Sequence, residues 1–311
     1  MFTDFKFARG LARLRAPAFA SCILALAACG ADDSVAPTAE DDVQIVAVEE
    51  PQVAKASFAG GIPFGLAAQP VSLFGSRFNG GKRTVGPRQL LKELPTIRAR
   101  GGRVVLMLAG NPRHYKDGDG HFSLEKWKSR VNQFRNINFK SYIDDGTVIG
   151  HYLIDEPNDP KNWSGRTVSS SVVEEMAKHS KDIWPNLPTI VRTHPDYLGS
   201  NHRYLDAAWA QYLSRRGNVR DYIRENVAEA QKRGLALVVG LNVIHGGTPQ
   251  GTKMTASEVE EWGSALLESS YPCAFIMWQY QSSYLDASGI DKAMESLRRK
   301  AENRPSRSCK A

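Results

Sequence analysis

Several features by which enzymes are often recognised are missing from this sequence. No G-x-G-x-x-G turn follows its first strand-like run, which argues against a dinucleotide cradle. No G-x-S-x-G elbow is present, so acyl transfer from serine has no support. No two histidines stand in H-x-x-x-H, and the spacing of His194, Asp196 and His245 does not argue for an ion. The stretch "DGDGHFSLEKW" (117–127) imitates a calcium loop. However, Tyr115 takes its first ligand place and Lys126 its twelfth, where a bidentate glutamate belongs. A loop followed by a capped helix is expected there, and no metal or other cofactor is expected. Basic residues form no stripe with interleaved aromatics, so nucleic acid is not an expected partner.

Long apolar runs are also absent. The strongest, "APAFASCILALAA" (16–28), is too short to span a bilayer, but it follows the basic start "FKFARGLARLR". Together they read as a secretory signal over residues 1–28. Leu26-Ala27-Ala28-Cys29 at its end resembles the lipobox of bacterial lipoproteins. That resemblance implies cleavage before a lipid-modified Cys29, export, and anchoring to a membrane of the cell envelope. Residues 29–59 are acidic, rich in Ala and Pro and without helical period, as expected of a flexible tether. The signal holds Lys6, Arg9, Arg13 and Arg15 against Asp4, so its removal takes the formal net charge from +7 to +4.

Cysteine is scarce, with four in 311 residues. Cys22 lies in the signal and Cys29 is the lipid site, which leaves Cys273 and Cys309. Cys273 begins a strand-like run and Cys309 follows the helix after it. A strand-then-helix unit returns the chain to where the strand began, so the two either form a disulfide on the floor of the fold or remain two buried thiols.

From Gly60 onward, apolar runs alternate with amphipathic ones. The strand-like runs are 62–68, 103–110, 147–155, 189–194, 205–212, 235–244 and 273–281. Continuous apolar strands alternating with helices indicate a parallel sheet, and hence an α/β fold. The expected architecture is a closed (β/α)8 barrel over residues 60–305, with 306–311 as a tail. An open doubly wound sheet is the alternative. Seven runs where a barrel needs eight imply one irregular strand, expected in "QPVSLFGSRF" (69–78) or in 43–48.

In this class the active site forms at the C-terminal strand ends. Those positions hold Asn111, Asp155, Glu156, His194, Asp196, Trp209, Gln211, Asn242, His245, Trp278, Gln279 and Tyr280. Aromatic faces suit the C–H faces of sugar rings, and amides and acids suit hydroxyls, so the set points to a carbohydrate. For any single Trp or Tyr, filling the barrel mouth is the plainer account; the agreement of several raises the binding reading.

"YLIDEPND" resembles the strand-end motif of the large retaining clan of (β/α)8 glycoside hydrolases, with Asp155 where that clan has asparagine before its acid/base glutamate. "FIMWQYQ" is similar to the late strand ending in a tryptophan at the sugar site. The resemblance implies Glu156 as general acid/base, its protonation favoured by burial in an apolar strand. A retaining mechanism then needs a second carboxylate about 5 Å away, and an inverting one at about 6.5–9.5 Å. The late strands here end in Asn242 and Gln279, neither an acid. Side chains alternate along a strand, so Asp155 is expected to orient a loop or an arginine, which leaves Asp196 as the expected partner. Three readings follow: a tethered glycosidase, a glycan-binding barrel without turnover, and a barrel lyase or hydrolase of another bond.

Overall fold

The computed structural model describes Phe58 and residues 60–311. The predicted signal, Cys29, almost all of the tether and the strand candidate at 43–48 lie outside the described residues. The chain runs β1 (Phe64–Ala67), β2 (Gly80–Thr84), α1 (Pro87–Ala99), β3 (Arg103–Met107), α2 (Leu124–Asn132), α3 (Lys140–Asp144), β4 (Val148–Asp155) and α4 (Ser170–Ile183). It continues through β5 (Thr189–Arg192), β6 (Ala207–Tyr212), α5 (Val219–Lys232), β7 (Ala236–Leu241), α6 (Ala256–Glu268), β8 (Ala274–Met277), α7 (Ser282–Leu285) and α8 (Ile290–Glu302). The eight strands close in chain order, every pair parallel, with β8 returning to β1. This is the closed (β/α)8 barrel, and the open doubly wound alternative is set aside. Only short 3-10 turns, not α-helices, occupy the β1–β2 and β5–β6 connections. Among the described residues no helix is long and apolar enough to cross a membrane.

The eighth strand lies in neither expected place. Residues 69–78 form a 3-10 turn (Val71–Leu73) and an isolated bridge between Phe74 and Phe78. The strand comes directly afterwards, as "GGKRT" (80–84). Its two glycines are weak strand formers, but crowding requires them. A Cβ on Gly80 would sit 2.6 Å from the Pro63 side chain, and one on Gly81 2.9 Å from the Phe74 ring. Gln69 ties β1 to β2 by accepting from the Leu66 amide at 2.9 Å and donating to the Gly80 carbonyl at 3.0 Å.

Two apolar layers result. The larger lies between barrel and helices, where Leu90, Leu94 and Ile97 of α1 and Val173, Met176 and Ala177 of α4 are buried. The smaller fills the barrel interior with Val105, Met107, Tyr152, Ile190, Trp209, Val238 and Ile276. At its floor Cys273 and Cys309 form a disulfide spanning 36 positions, so the tail is fixed beneath β8. Closing a loop of that length removes unfolded-chain entropy worth about 4 kcal/mol in the chain-entropy account.

Candidate active site

β4 is the longest strand, and its end breaks the alternation expected from sequence. A register irregularity between Tyr152 and Asp155 lets both side chains turn inward, and the Tyr152 hydroxyl donates to Asp155 Oδ1 at 2.7 Å. The next residue, Glu156, leaves the strand at φ 40°, in the left-handed region that disfavours non-glycine residues. Backbone bonds hold it there. Its amide donates to the Arg192 carbonyl at 2.9 Å, and its carbonyl accepts from the Asp159 amide and from Trp163 Nε1, both at 3.1 Å.

As a consequence, the two neighbouring acids meet one guanidinium. Arg192, buried at the end of β5, pairs through Nη1 with Asp155 Oδ1 at 2.6 Å and through Nη2 with Glu156 Oε1 at 3.2 Å. Its Nε and Nη2 also donate to Gln211 Oε1, at 3.1 and 2.8 Å. Burial acts to raise the Asp155 pKa, but the Arg192 charge and hydrogen bond, the Tyr152 hydroxyl and Lys82 outweigh it, so Asp155 stays below the usual carboxylate range. Burial, then the charge of Asp155, pushes the Tyr152 phenol well above its ordinary value, so it remains a donor.

Lys82 on β2 completes the cluster. It is buried in the barrel, with Nζ 4.6 Å from the Tyr152 ring centroid and 5.6 Å from that of Trp278. Arg192 lies against the same Trp278 ring at 5.4 Å. Burial lowers the Lys82 amine to about 8; Asp155 opposes that shift and Arg192 adds to it. Lys82, Arg192 and Tyr152 were absent from the sequence-based set. Arg192 had a signal, a lone cation near the end of the apolar run "TIVRTH". Lys82 had none until "GGKRT" was identified as a strand.

The structure brings Asp155, Glu156, Gln211 and Trp278 of the predicted set together. Gln211 is buried and engaged with Arg192, so its amide positions the guanidinium. Trp209 is also buried, edge-on to Tyr152 at 5.4 Å, so it supports the mouth from below and offers no stacking face. Asn111 caps a short 3-10 turn, accepting from the Arg113 amide at 3.0 Å. The Asn242 side chain accepts from the His245 amide at 3.0 Å in the turn after β7, and His245 is exposed. Gln279 and Tyr280 are half-buried beyond Trp278, and the Tyr280 amide donates to the Ala67 carbonyl at 2.9 Å.

Two expectations need correction. Asp196 is not joined to Glu156; it is exposed on a separate cleft of about 490 Å³, lined by His194, Arg216, Tyr222 and residues of α5. The 3-10 turn after β5 carries it outward, where its carbonyl accepts from Arg233 at 3.1 Å. His194 belongs to that cleft too, its pKa pushed down to about 4 by burial and then by Arg216. Nor does apolar strand enclose Glu156, whose side chain is 40% exposed, with Oε2 3.4 Å from Asn162 Nδ2.

The calcium-like stretch behaves as a loop. Asp117 Oδ1 accepts from the amides of Asp119 and His121, and Ser123 caps α2 by accepting from the Lys126 amide. Asp117, Asp119 and His121 do bring their ligand-type atoms within 4.8 Å of one another, with both acids exposed.

No family model matches the sequence, and no curated protein matches it. Among solved structures, a GH18 chitinase from Pseudoalteromonas aurantia aligns with TM-score 0.50 and 10% identity, over 76% of this chain and 99% of that one. An exo-β-1,4-mannosidase from Opitutaceae bacterium strain TAV5 aligns with TM-score 0.51 and 12% identity, over 80% of this chain and 62% of that one. At such identities the likeness establishes the barrel fold, which both neighbours share, and nothing about the reaction.

Proposed function

We propose that this chain is a glycoside-hydrolase-like barrel acting on a poly- or oligosaccharide, with Glu156 as the acid/base group. One observation carries the reading: Glu156 is held at a strand end by backbone bonds and pairs with Arg192, which itself lies against the half-buried indole of Trp278. An aromatic face with a carboxylate nearby suits a sugar ring and its bridging oxygen. In this account a sugar stacks on Trp278, the Glu156 carboxyl gives its proton to the leaving oxygen as the glycosidic bond breaks, and a water adds to the anomeric carbon and returns a proton to Glu156. Asp155 and Gln211 hold Arg192, and Arg192 sets the Glu156 side chain. The proposal extends to location: cleavage before Cys29, lipid attachment there, and residues 29–59 as the tether of an exported barrel.

The test is release of reducing ends from a panel of glycans by the purified protein. Glu156→Gln is expected to lower turnover by at least about 100-fold while leaving thermal unfolding nearly unchanged. Unchanged turnover would remove Glu156 from the chemistry. For location, Cys29→Ala is expected to move the protein from the membrane fraction to the soluble one.

A second reading is favoured by the placement of Asp196. With that acid on another cleft, the mouth holds its two carboxylates on one arginine rather than on opposite sides of a bond. A barrel that binds glycan without cleaving it fits this arrangement. Saturable binding without product over long incubation would select it.

A further inference from the structure

The mouth contains two cations, and only one is neutralised. Arg192 reaches Asp155, Glu156 and Gln211. Lys82, only 6% exposed, has two aromatic rings for company. Among the described residues no carboxylate forms an ion pair with its ammonium and no acceptor takes its hydrogens; Asp155 acts on it only at a distance. Two neutral donors of the barrel interior, Gln211 Nε2 and Trp209 Nε1, are buried without acceptors.

A buried cation without an anion is costly, and aromatic faces offset only part of that cost. The lowered amine of Lys82 reflects the same deficit. Crowding around Gly80 and Gly81 fixes β2 in place, and Lys82 pairs in register with Ala67 on one side and Val105 on the other. The ammonium is therefore held on the inner face, between the rings of Tyr152 and Trp278.

We propose that Lys82 receives a carboxylate of the ligand, so that the mouth selects an acidic saccharide, a glycan containing uronic acid. The inference rests on the saccharide reading above and specifies its substrate class. A neutral hydroxyl would accept one hydrogen bond from the ammonium and leave its charge unanswered, whereas a carboxylate neutralises it. Trp278 sets the span, since its ring centroid lies 5.6 Å from Lys82 Nζ and 5.4 Å from Arg192 Cζ. Both cations thus lie against the same indole, so a sugar bound beside it comes within reach of the lysine and of the Arg192–Glu156 pair. Arg192 cannot serve in place of Lys82, because three side chains already occupy it.

The test compares binding of short oligosaccharides of galacturonate, glucuronate and mannuronate with their neutral counterparts, by calorimetry on the purified protein. The parent is expected to bind at least one uronate about ten-fold or more tighter than its neutral counterpart, a gap of about 1.4 kcal/mol. In Lys82→Met the preference disappears: measured within that variant, the uronate and its neutral counterpart bind with equal affinity. Equal affinity for charged and neutral sugars, or a preference that survives Lys82→Met, overturns this inference and leaves the saccharide reading standing. A sulfated sugar bound in preference to every uronate overturns the assignment to carboxylate. Binding of none of these sugars overturns both readings together.

Discussion

The two ends of the barrel interior are made by the same strands from opposite kinds of residue. On β5, Ile190 lies in the apolar interior and Arg192, two positions later, holds the ionic cluster. On β6 the inward series is Ala207, Trp209, Gln211, and on β8 it is Ala274, Ile276, Trp278. Two positions along a strand amount to about 6–7 Å. Within that distance the interior passes from side chains with nothing to satisfy to side chains that need partners. The floor, closed by Cys273–Cys309, supplies stability without demanding specific geometry. The mouth demands geometry and contributes little net stability, because two cations and much of Asp155 there have been withdrawn from water.

That contrast can be broken from either end. The largest effect is expected from Arg192→Met, which leaves half-buried Asp155 without its arginine and should cost about 3–5 kcal/mol in denaturant unfolding. A loss below about 1 kcal/mol would mean that the cluster does not depend on its arginine. At the floor, Cys309→Ser should cost about 2–4 kcal/mol and leave saccharide binding unchanged, since the disulfide only restrains the unfolded chain. Altered binding in that variant would show that floor and mouth are not separable.

Smaller and opposite in sign, Lys82→Met should stabilise the protein by about 1–3 kcal/mol at pH 7. The sign follows from the lowered amine: from 10.5 unfolded to about 8 folded, the unfolded chain binds the proton more readily. The penalty is complete below about pH 8 and fades between about 8 and 10.5, where parent and variant should converge. A variant less stable than the parent at pH 7 would mean that the charged lysine is already satisfied. The smallest effect concerns Asp155. Its folded pKa is lowered, so the stability it contributes is present above the unfolded value near 3.8 and is lost as pH falls through the folded one. Asp155→Asn should flatten that acid limb.

The barrel was legible because seven of its strands are continuous apolar runs between amphipathic helices, a pattern that depends on composition alone. β2 was illegible for the same reason, since two glycines and two cations give "GGKRT" no strand signature. Its glycines answer to Pro63 and Phe74, and those contacts exist only after folding. At the site, the strand-end rule led to Asp155, Glu156 and Trp278. It failed where local geometry overrode it. The irregular register of β4 and the left-handed Glu156 put two neighbours on one arginine, which strict alternation forbids. The 3-10 turn after β5 carried Asp196 outward, and no residue pattern separates that turn from one directed inward. Trp209 shows a further limit, because a tryptophan near a strand end reads alike whether it floors a site or lines it.

The crowding at Gly80 and Gly81 also bears on how this sequence tolerates insertions and deletions. If β2 slid by one residue, Gly81 or Arg83 would replace Lys82 on the inner face. Arg83 now forms a two-bonded contact with Glu93 on α1, at 2.9 and 2.6 Å, which such a slip would tear away. Bulkier side chains would move into the space that the glycines leave for Pro63 and Phe74. Loop length before residue 80 is therefore under tighter control than its irregular structure suggests. A single-residue deletion there should abolish the lysine's role as surely as replacing it.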